Sequence, residues 1–242
     1  MREQIARLPS HDEVSSTRHV LIEGVLLTDA ELDHSLGIVL LREGRHLPLF
    51  TTAAIQSILD HDSRILPVTR AFAEVPWTEL PLDTRVELRL RDGNRSGLSV
   101  LAFEVPAGPP RFASATAPGH TVGLLIETDT RTCAFVPGCG DLTPELLERL
   151  SSADILLFDG TFWTDDELIA AGIGTHTARE MDHLPIAGRG GSLERLTTLR
   201  CPHRVYTHIN NTNPILLEGS PERASVVQAG VTVGYDGLHI RI

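Results

Sequence analysis

The feature that most constrains this chain is a recurring unit in which a short apolar run enters a polar loop and is followed by helix signals. Ile155–Phe158 (ILLF) runs into Asp159 ahead of a helix candidate at Asp165–Ala171, and Arg204–Ile209 precedes another at Pro221–Gln228. His19–Leu27 likewise reads as a buried strand before a helix over His34–Arg42, which Asp33 is placed to cap and Gly44 to stop. Strands that each feed a helix pack as layers of helix on sheet.

Between these units the pattern is β-rich. Arg85–Leu90 and Leu98–Val105 flank the turn-rich DGNRSG, and Thr121–Glu127 with Thr132–Val136 reads as a hairpin. Thr51 or Thr52 suits the cap of a helix through Asp60, and Thr143 with Pro144 at the first helical position announces another. Ser192–Leu199 adds a helix, and Val231–Ile242 reads as a closing hairpin around Tyr235-Asp236-Gly237. No Pro/Gly/Ser-rich linker divides the 242 residues, so one domain over 1–242 is expected.

A formal net charge of −11 without a Lys/Arg-rich stretch argues against a phosphate-neutralising or anionic-lipid surface, so neither nucleic acid nor membrane is an expected partner. The apolar runs are far shorter than the roughly 20 residues of a membrane span, and MREQIARLPSHDE lacks a secretory apolar core. Three cysteines, Cys133, Cys139 and Cys201, form neither an even framework nor a CxxC pair, which suits a reducing compartment and a cytoplasmic protein.

The strand ends share one chemistry. VLLT runs into Asp29, Glu31, Asp33 and His34; ILLF into Asp159; RVYT into His208; and PGHT sets His120 before a strand. Strand ends are where a scaffold presents reactive groups, and carboxylates with imidazoles suit borderline divalent metals such as Fe(II), Mn(II) and Zn(II). A cation would also relieve the mutual repulsion of neighbouring carboxylates. Taken singly, each has a plainer role: helix cap for Asp33, solvated loop for Asp29 and Glu31, backbone-bonded core histidine for His208, turn residues for His120 and Asp159.

LTDAELDHSLGIVLLREG at Leu27–Gly44, DGTFWTDDEL at Asp159–Leu168, GIGTHTAREMDHLPI at Gly172–Ile186 and THINNTNPIL at Thr207–Leu216 together resemble the PqqB family of pyrroloquinoline quinone (PQQ) biosynthesis proteins, within the metallo-β-lactamase-like superfamily. The resemblance runs from about Arg18 to the C-terminus. It implies an α/β fold, the metallo-β-lactamase-like αββα sandwich, with a metal where strand-end loops meet. The superfamily pattern T-H-x-H-x-D-H-x-x-G becomes Thr28-Asp29-Ala30-Glu31-Leu32-Asp33-His34-Ser35-Leu36-Gly37, so carboxylates replace the first histidine pair. PGHTVG matches the motif of a later histidine ligand, His120, and PGCGD puts Cys139 where hydrolytic relatives place a bridging aspartate, with Asp141 a weak substitute.

The resemblance implies a single-metal set of Asp33, His34, Asp159 and His208, with His120 and Asp29 beside them. Asp33 and His183 are the implied catalytic residues, His183 for proton transfer or orientation unless it only bonds a loop carbonyl. Mixed imidazole and carboxylate ligation favours one Fe(II) over Zn(II) or Mn(II). The implied activity is hydroxylation of a tyrosine of the precursor peptide or of a small-molecule intermediate derived from it, beside other PQQ biosynthesis proteins. A non-catalytic carrier of PQQ or its precursor, and a metal-dependent hydrolase, are the alternatives.

Two departures qualify the resemblance. Nothing before Arg18 resembles the family's glycine-rich strand or its C-x-C-x-x-C cluster, so no structural zinc is expected. The fold is then N-terminally shortened, leaving truncation, a misassigned start or completion by another polypeptide open, and His19–Leu27 is expected near a sheet edge. Asp182 stands where relatives commonly carry glycine, beside His183.

Overall fold

The computed structural model describes residues 22–41 and 46–241. The start of the strand expected at His19–Leu27 and the helix stop expected at Gly44 lie outside the described residues. The chain forms two compact units, one from residues up to Ala102 with Pro109–Thr121, the other from Phe103–Gly108 with Val122 onward.

In the first unit, β1 (Val25–Leu26), β2 (Leu49–Thr51) and β3 (Trp77–Glu79) form a parallel three-stranded sheet with Val25 opposite Leu49 and Leu49 opposite Trp77. All three β2 residues are buried, as a central strand requires. β1 stands at one end of this sheet. β2 and β3 were not expected from sequence, because three residues are too few to show a period.

β1 runs into the loop Leu27–Glu31 and then into short helices at Leu32–Ser35 and Gly37–Leu40. Here the structure corrects the sequence reading. Asp33 lies inside the first turn rather than at its cap, and Glu31 at the cap position makes no side-chain cap bond. The Thr52 expectation holds, since its hydroxyl accepts from the Ile55 N–H at 3.2 Å and donates to the Gly119 carbonyl at 2.6 Å. The helix it caps, Ala53–Ser57, continues as a wider turn over Ile58–Asp62. β4 (Arg85–Arg89) and β5 (Arg95–Glu104) pair antiparallel around the expected turn.

In the second unit the strand order is β10-β9-β8-β7-β6. β6 (Val122–Glu127) and β7 (Thr132–Val136) are the expected hairpin, and β7, β8 (Ile155–Asp159), β9 (His203–Thr207) and β10 (Val231–Val233) run parallel. Ala134, Val136, Leu156, Phe158, Val205 and Tyr206 are buried along these strands. Thr143 and Ser220 cap the helices Pro144–Ser151 and Pro221–Gln228, each accepting from the third N–H beyond. Parallel pairing sets Val136 against Phe158 and Asp159 against Thr207, so the loops leaving β7, β8 and β9 emerge along one edge of the sheet.

The expected closing hairpin does not form among the described residues. Val231 and Val233 are instead buried by parallel pairing with β9, and Tyr235–Leu238 closes only as a turn. Alternating apolar residues signal a strand but not its partner. No helix among the described residues is long and apolar enough to cross a membrane.

Candidate metal centre

Asp159 ends β8 with no exposed surface, and both of its oxygens are saturated. Oδ1 accepts from the Thr161 N–H at 3.0 Å and the Thr161 hydroxyl at 2.6 Å; Oδ2 accepts from the Cys139 N–H at 3.1 Å and from His183 Nδ1 at 2.7 Å. Burial alone would raise this carboxyl's pKa, but the charges and bonds of His183 and His208 hold it well below the usual carboxylate range. An ionised carboxylate only accepts, so His183 carries its proton on Nδ1 and turns an Nε2 lone pair outward.

His208 leaves β9 in the left-handed region, at φ +53°, a conformation that a β-carbon disfavours and that recurs at functional sites. Its Nδ1 lies 2.6 Å from the Thr161 hydroxyl. The imidazoles of His183 and His208 stack with centroids 5.4 Å apart, and Asp159, His183 and His208 each offer a ligand atom within 4.8 Å of the others.

The neighbouring loops explain this placement. A β-carbon on Gly160 would lie 2.8 Å from Tyr206 Cβ, so only glycine lets the β8 exit pass so close to β9. Asn213, almost fully buried, donates to the Gly160 carbonyl at 2.9 Å and accepts from the Ile215 N–H at 3.1 Å, tying the loop after His208 to the loop after Asp159. Glu167 holds the same loops together by accepting from the Trp163 N–H and the Thr212 hydroxyl. Leu184 donates to the Cys139 carbonyl at 2.7 Å, which brings the His183 segment against the β7 exit.

In the first unit, buried Asp29 sets both oxygens 2.8 Å from His34 Nδ1, and it also accepts from the Thr28 hydroxyl and the Glu31 N–H. Burial raises its pKa, yet the bond and charge of His34 leave the net shift downward. His34 is thus held like His183, Nδ1–H toward a carboxylate, and its Nε2 sits 3.9 Å from the exposed Asp33 carboxylate. Burial, then the charges of Asp29 and Asp33, push the Glu31 carboxyl upward. His120 bonds its neighbour Thr121 at 3.2 Å and lies outside the groups of possible metal ligands among the described residues.

The structure therefore brings Asp159, His183 and His208 together in one unit and Asp29, Asp33 and His34 in the other. Asp29 and Asp159 bond the backs of histidines, whereas the sequence reading has them beside or within the ligand set. Cys139 is fully buried with its thiol 2.9 Å from the Asp141 carbonyl, and burial drives its pKa far up, which disfavours thiolate ligation. Asp141 pairs with Arg195 at 3.2 Å. Sequence reasoning missed Thr161, Glu167 and Asn213. Thr161 sits inside DGT and Asn213 inside HINNTNP, but neither is a usual metal ligand, so neither drew notice. Histidine nitrogens with their second N–H held by oxygen, beside saturated carboxylates, form a donor set suited to a borderline divalent ion.

Comparison with known proteins extends this picture. Residues 1–209 match the family described as a beta-lactamase superfamily domain. Coenzyme PQQ synthesis protein B of Gluconobacter oxydans (strain 621H) is 39% identical over 247 residues, covering 100% of this chain and 80% of the relative. The crystal structure of Zn(2+)-bound PqqB from Methylobacterium extorquens superposes with a TM-score of 0.88 at 38% identity, covering 100% of this chain and 80% of that one. A CmlA beta-hydroxylase mutant shares the fold alone, with a TM-score of 0.53 at 15% identity over 88% of this chain and 42% of its own. With the metallo-β-lactamase fold, mixed sheets and near-complete alignment, the chain belongs to the coenzyme PQQ synthesis protein B (PqqB) family.

Proposed function

We propose that this protein acts in PQQ biosynthesis as an Fe(II)-dependent oxygenase that hydroxylates a tyrosine of the precursor peptide or a derivative of it. The names of its relatives support the pathway, and the zinc in the Methylobacterium protein supports a divalent ion. The observation that carries the reading is the pair of imidazoles held on Asp159, one directly and one through Thr161.

In the second unit His208 would hold the ion by Nε2. His34 and Asp33 offer an imidazole and a carboxylate of the same kind in the first. A bound Fe(II) ion would supply the one-electron chemistry that O₂ activation needs, with an external two-electron reductant, included in the assay, reducing the second oxygen atom to water. His183 keeps Nδ1–H on Asp159, so its Nε2 takes a proton from a phenol or water while the carboxylate stabilises the imidazolium. In this reading the protein works in the cytoplasm alongside other PQQ biosynthesis proteins.

The test is anaerobic loading with Fe(II), followed by metal analysis and O₂ consumption with precursor peptide and the external reductant. About one iron per chain is expected, with affinity for His208→Ala lower by at least the roughly 10–100-fold that loss of an outer-shell partner costs. Absence of bound iron, or unchanged uptake in the variant, rejects the reading. The Asp159–His183 pair also favours a second reading, a hydrolase in which His183 protonates a leaving group. Turnover of phosphodiester probes with added Zn(II) or Mn(II) would select it.

A further inference from the structure

Thr161 is the residue whose geometry carries most beyond these assignments. Its hydroxyl lies 2.6 Å from Asp159 Oδ1, 2.6 Å from His208 Nδ1 and 2.9 Å from the His208 carbonyl oxygen. A hydroxyl has one proton to give. Were it given to His208 Nδ1, two oxygens that can only accept would face the hydroxyl oxygen unbonded, one of them an ionised carboxylate at 2.6 Å. Given to an oxygen, with Asp159 the shorter and charged partner, the hydroxyl accepts from His208, which must then carry its proton on Nδ1.

We propose that Thr161 is a positioning residue that relays the Asp159 carboxylate to His208, fixing that ring with its proton on Nδ1 and its Nε2 lone pair turned to the metal. One buried carboxylate thereby sets two imidazoles, His183 by direct contact and His208 through a hydroxyl. Its fixed place follows from its own backbone N–H on Asp159 and from the bonds of Asn213 and Asn210 to its carbonyl, at 3.3 Å and 3.1 Å. The relay rests on the metal-dependent reading in its last clause only, since the tautomer is a property of the metal-free chain.

The experiment compares wild type, Thr161→Val and Thr161→Ser. Zn(II) titration into chelator-treated protein should show affinity lower by roughly 10–100-fold for the valine variant and near wild type for serine. Nitrogen-15 NMR of histidine-labelled wild type, with His208 assigned by loss of its signal in His208→Gln, should show the Nδ1–H form, retained in Thr161→Ser and mixed in Thr161→Val. An Nε2–H form of His208 in metal-free wild type overturns the proposal, and that measurement does not depend on the valine variant folding. Unchanged Zn(II) affinity in a folded Thr161→Val also overturns it. Wild type that binds no Zn(II) but shows the Nδ1–H form would reject the metal reading while leaving the relay standing.

Discussion

Asp159 is a buried carboxylate whose oxygens each face two donors, and every donor belongs to a different demand of the site. Its value lies in accepting everywhere. Asparagine has nearly the same shape, but its NH₂ group must point either at Cys139 N–H and His183 Nδ1–H or at the Thr161 N–H and hydroxyl, donor against donor. Asp159→Asn is therefore expected to lower unfolding free energy by about 1–3 kcal/mol, the range for leaving buried donors without an acceptor. Urea denaturation of metal-free protein measures this, and a loss below about 1 kcal/mol would mean that the carboxylate's charge is not what organises the site. Sequence made Asp159 and both histidines visible, because carboxylate and imidazole advertise ligation. Thr161 was invisible because its role depends on a 2.6 Å approach to a residue 47 positions away.

At the scale of elements, the site exists because the exits of β8 and β9 touch, and Gly160 is the point of contact. In Gly160→Ala the new methyl would meet Tyr206 Cβ at 2.8 Å and the Thr207 carbonyl oxygen at 3.0 Å, with backbone on one side and a buried ring on the other, so the strand ends must part. The expected cost is about 1–3 kcal/mol, together with weaker Zn(II) binding, because His208 follows Thr207 directly. Ser220→Ala, at the cap of Pro221–Gln228 away from this contact, should cost about 1 kcal/mol by thermal unfolding and leave Zn(II) affinity unchanged. If both substitutions weaken metal binding alike, strand contact is not the positioning device. The caps at Thr52 and Thr143 were legible, because each accepts from an N–H only three residues on, whereas the bond from the Thr52 hydroxyl to the distant Gly119 carbonyl was not. Also legible were β6, β7 and β8, whose apolar runs are long enough to register. What sequence could not show was pairing over distance, as when β10 joins β9 in parallel instead of folding back on the last residues. Asp33 failed as a cap for a related reason, because the helix begins two residues before the place where its apolar period becomes clear.

At the scale of the whole molecule, the half-buried Cys133 and the buried Cys139, Cys201 and Tyr206 all shift one way. Burial, then the neighbouring Cys201 sulfur, pushes the Cys133 thiol from 9.0 up to about 11, and burial likewise raises Cys139, Cys201 and Tyr206. Each of these groups is neutral in the folded chain at a pH where the unfolded chain has begun to lose the proton. Their contribution to stability is therefore complete below the unfolded thiol value of 9.0 and, for Cys133, is lost as pH rises through about 11. No buried group described with a shifted pKa works in the opposite sense over that window, since Asp29 and Asp159 are shifted down and titrate far below it. Urea midpoints of metal-free protein should hold level to about pH 9 and then fall steadily toward about pH 11. The formal charge of −11 adds repulsion in the same direction, so the decisive comparison is Cys133→Ala, which removes one thiol and leaves the surface charge at neutral pH untouched. Its midpoint should fall less steeply over that window than wild type does, and slopes that coincide would assign the alkaline loss to surface repulsion rather than to buried thiols.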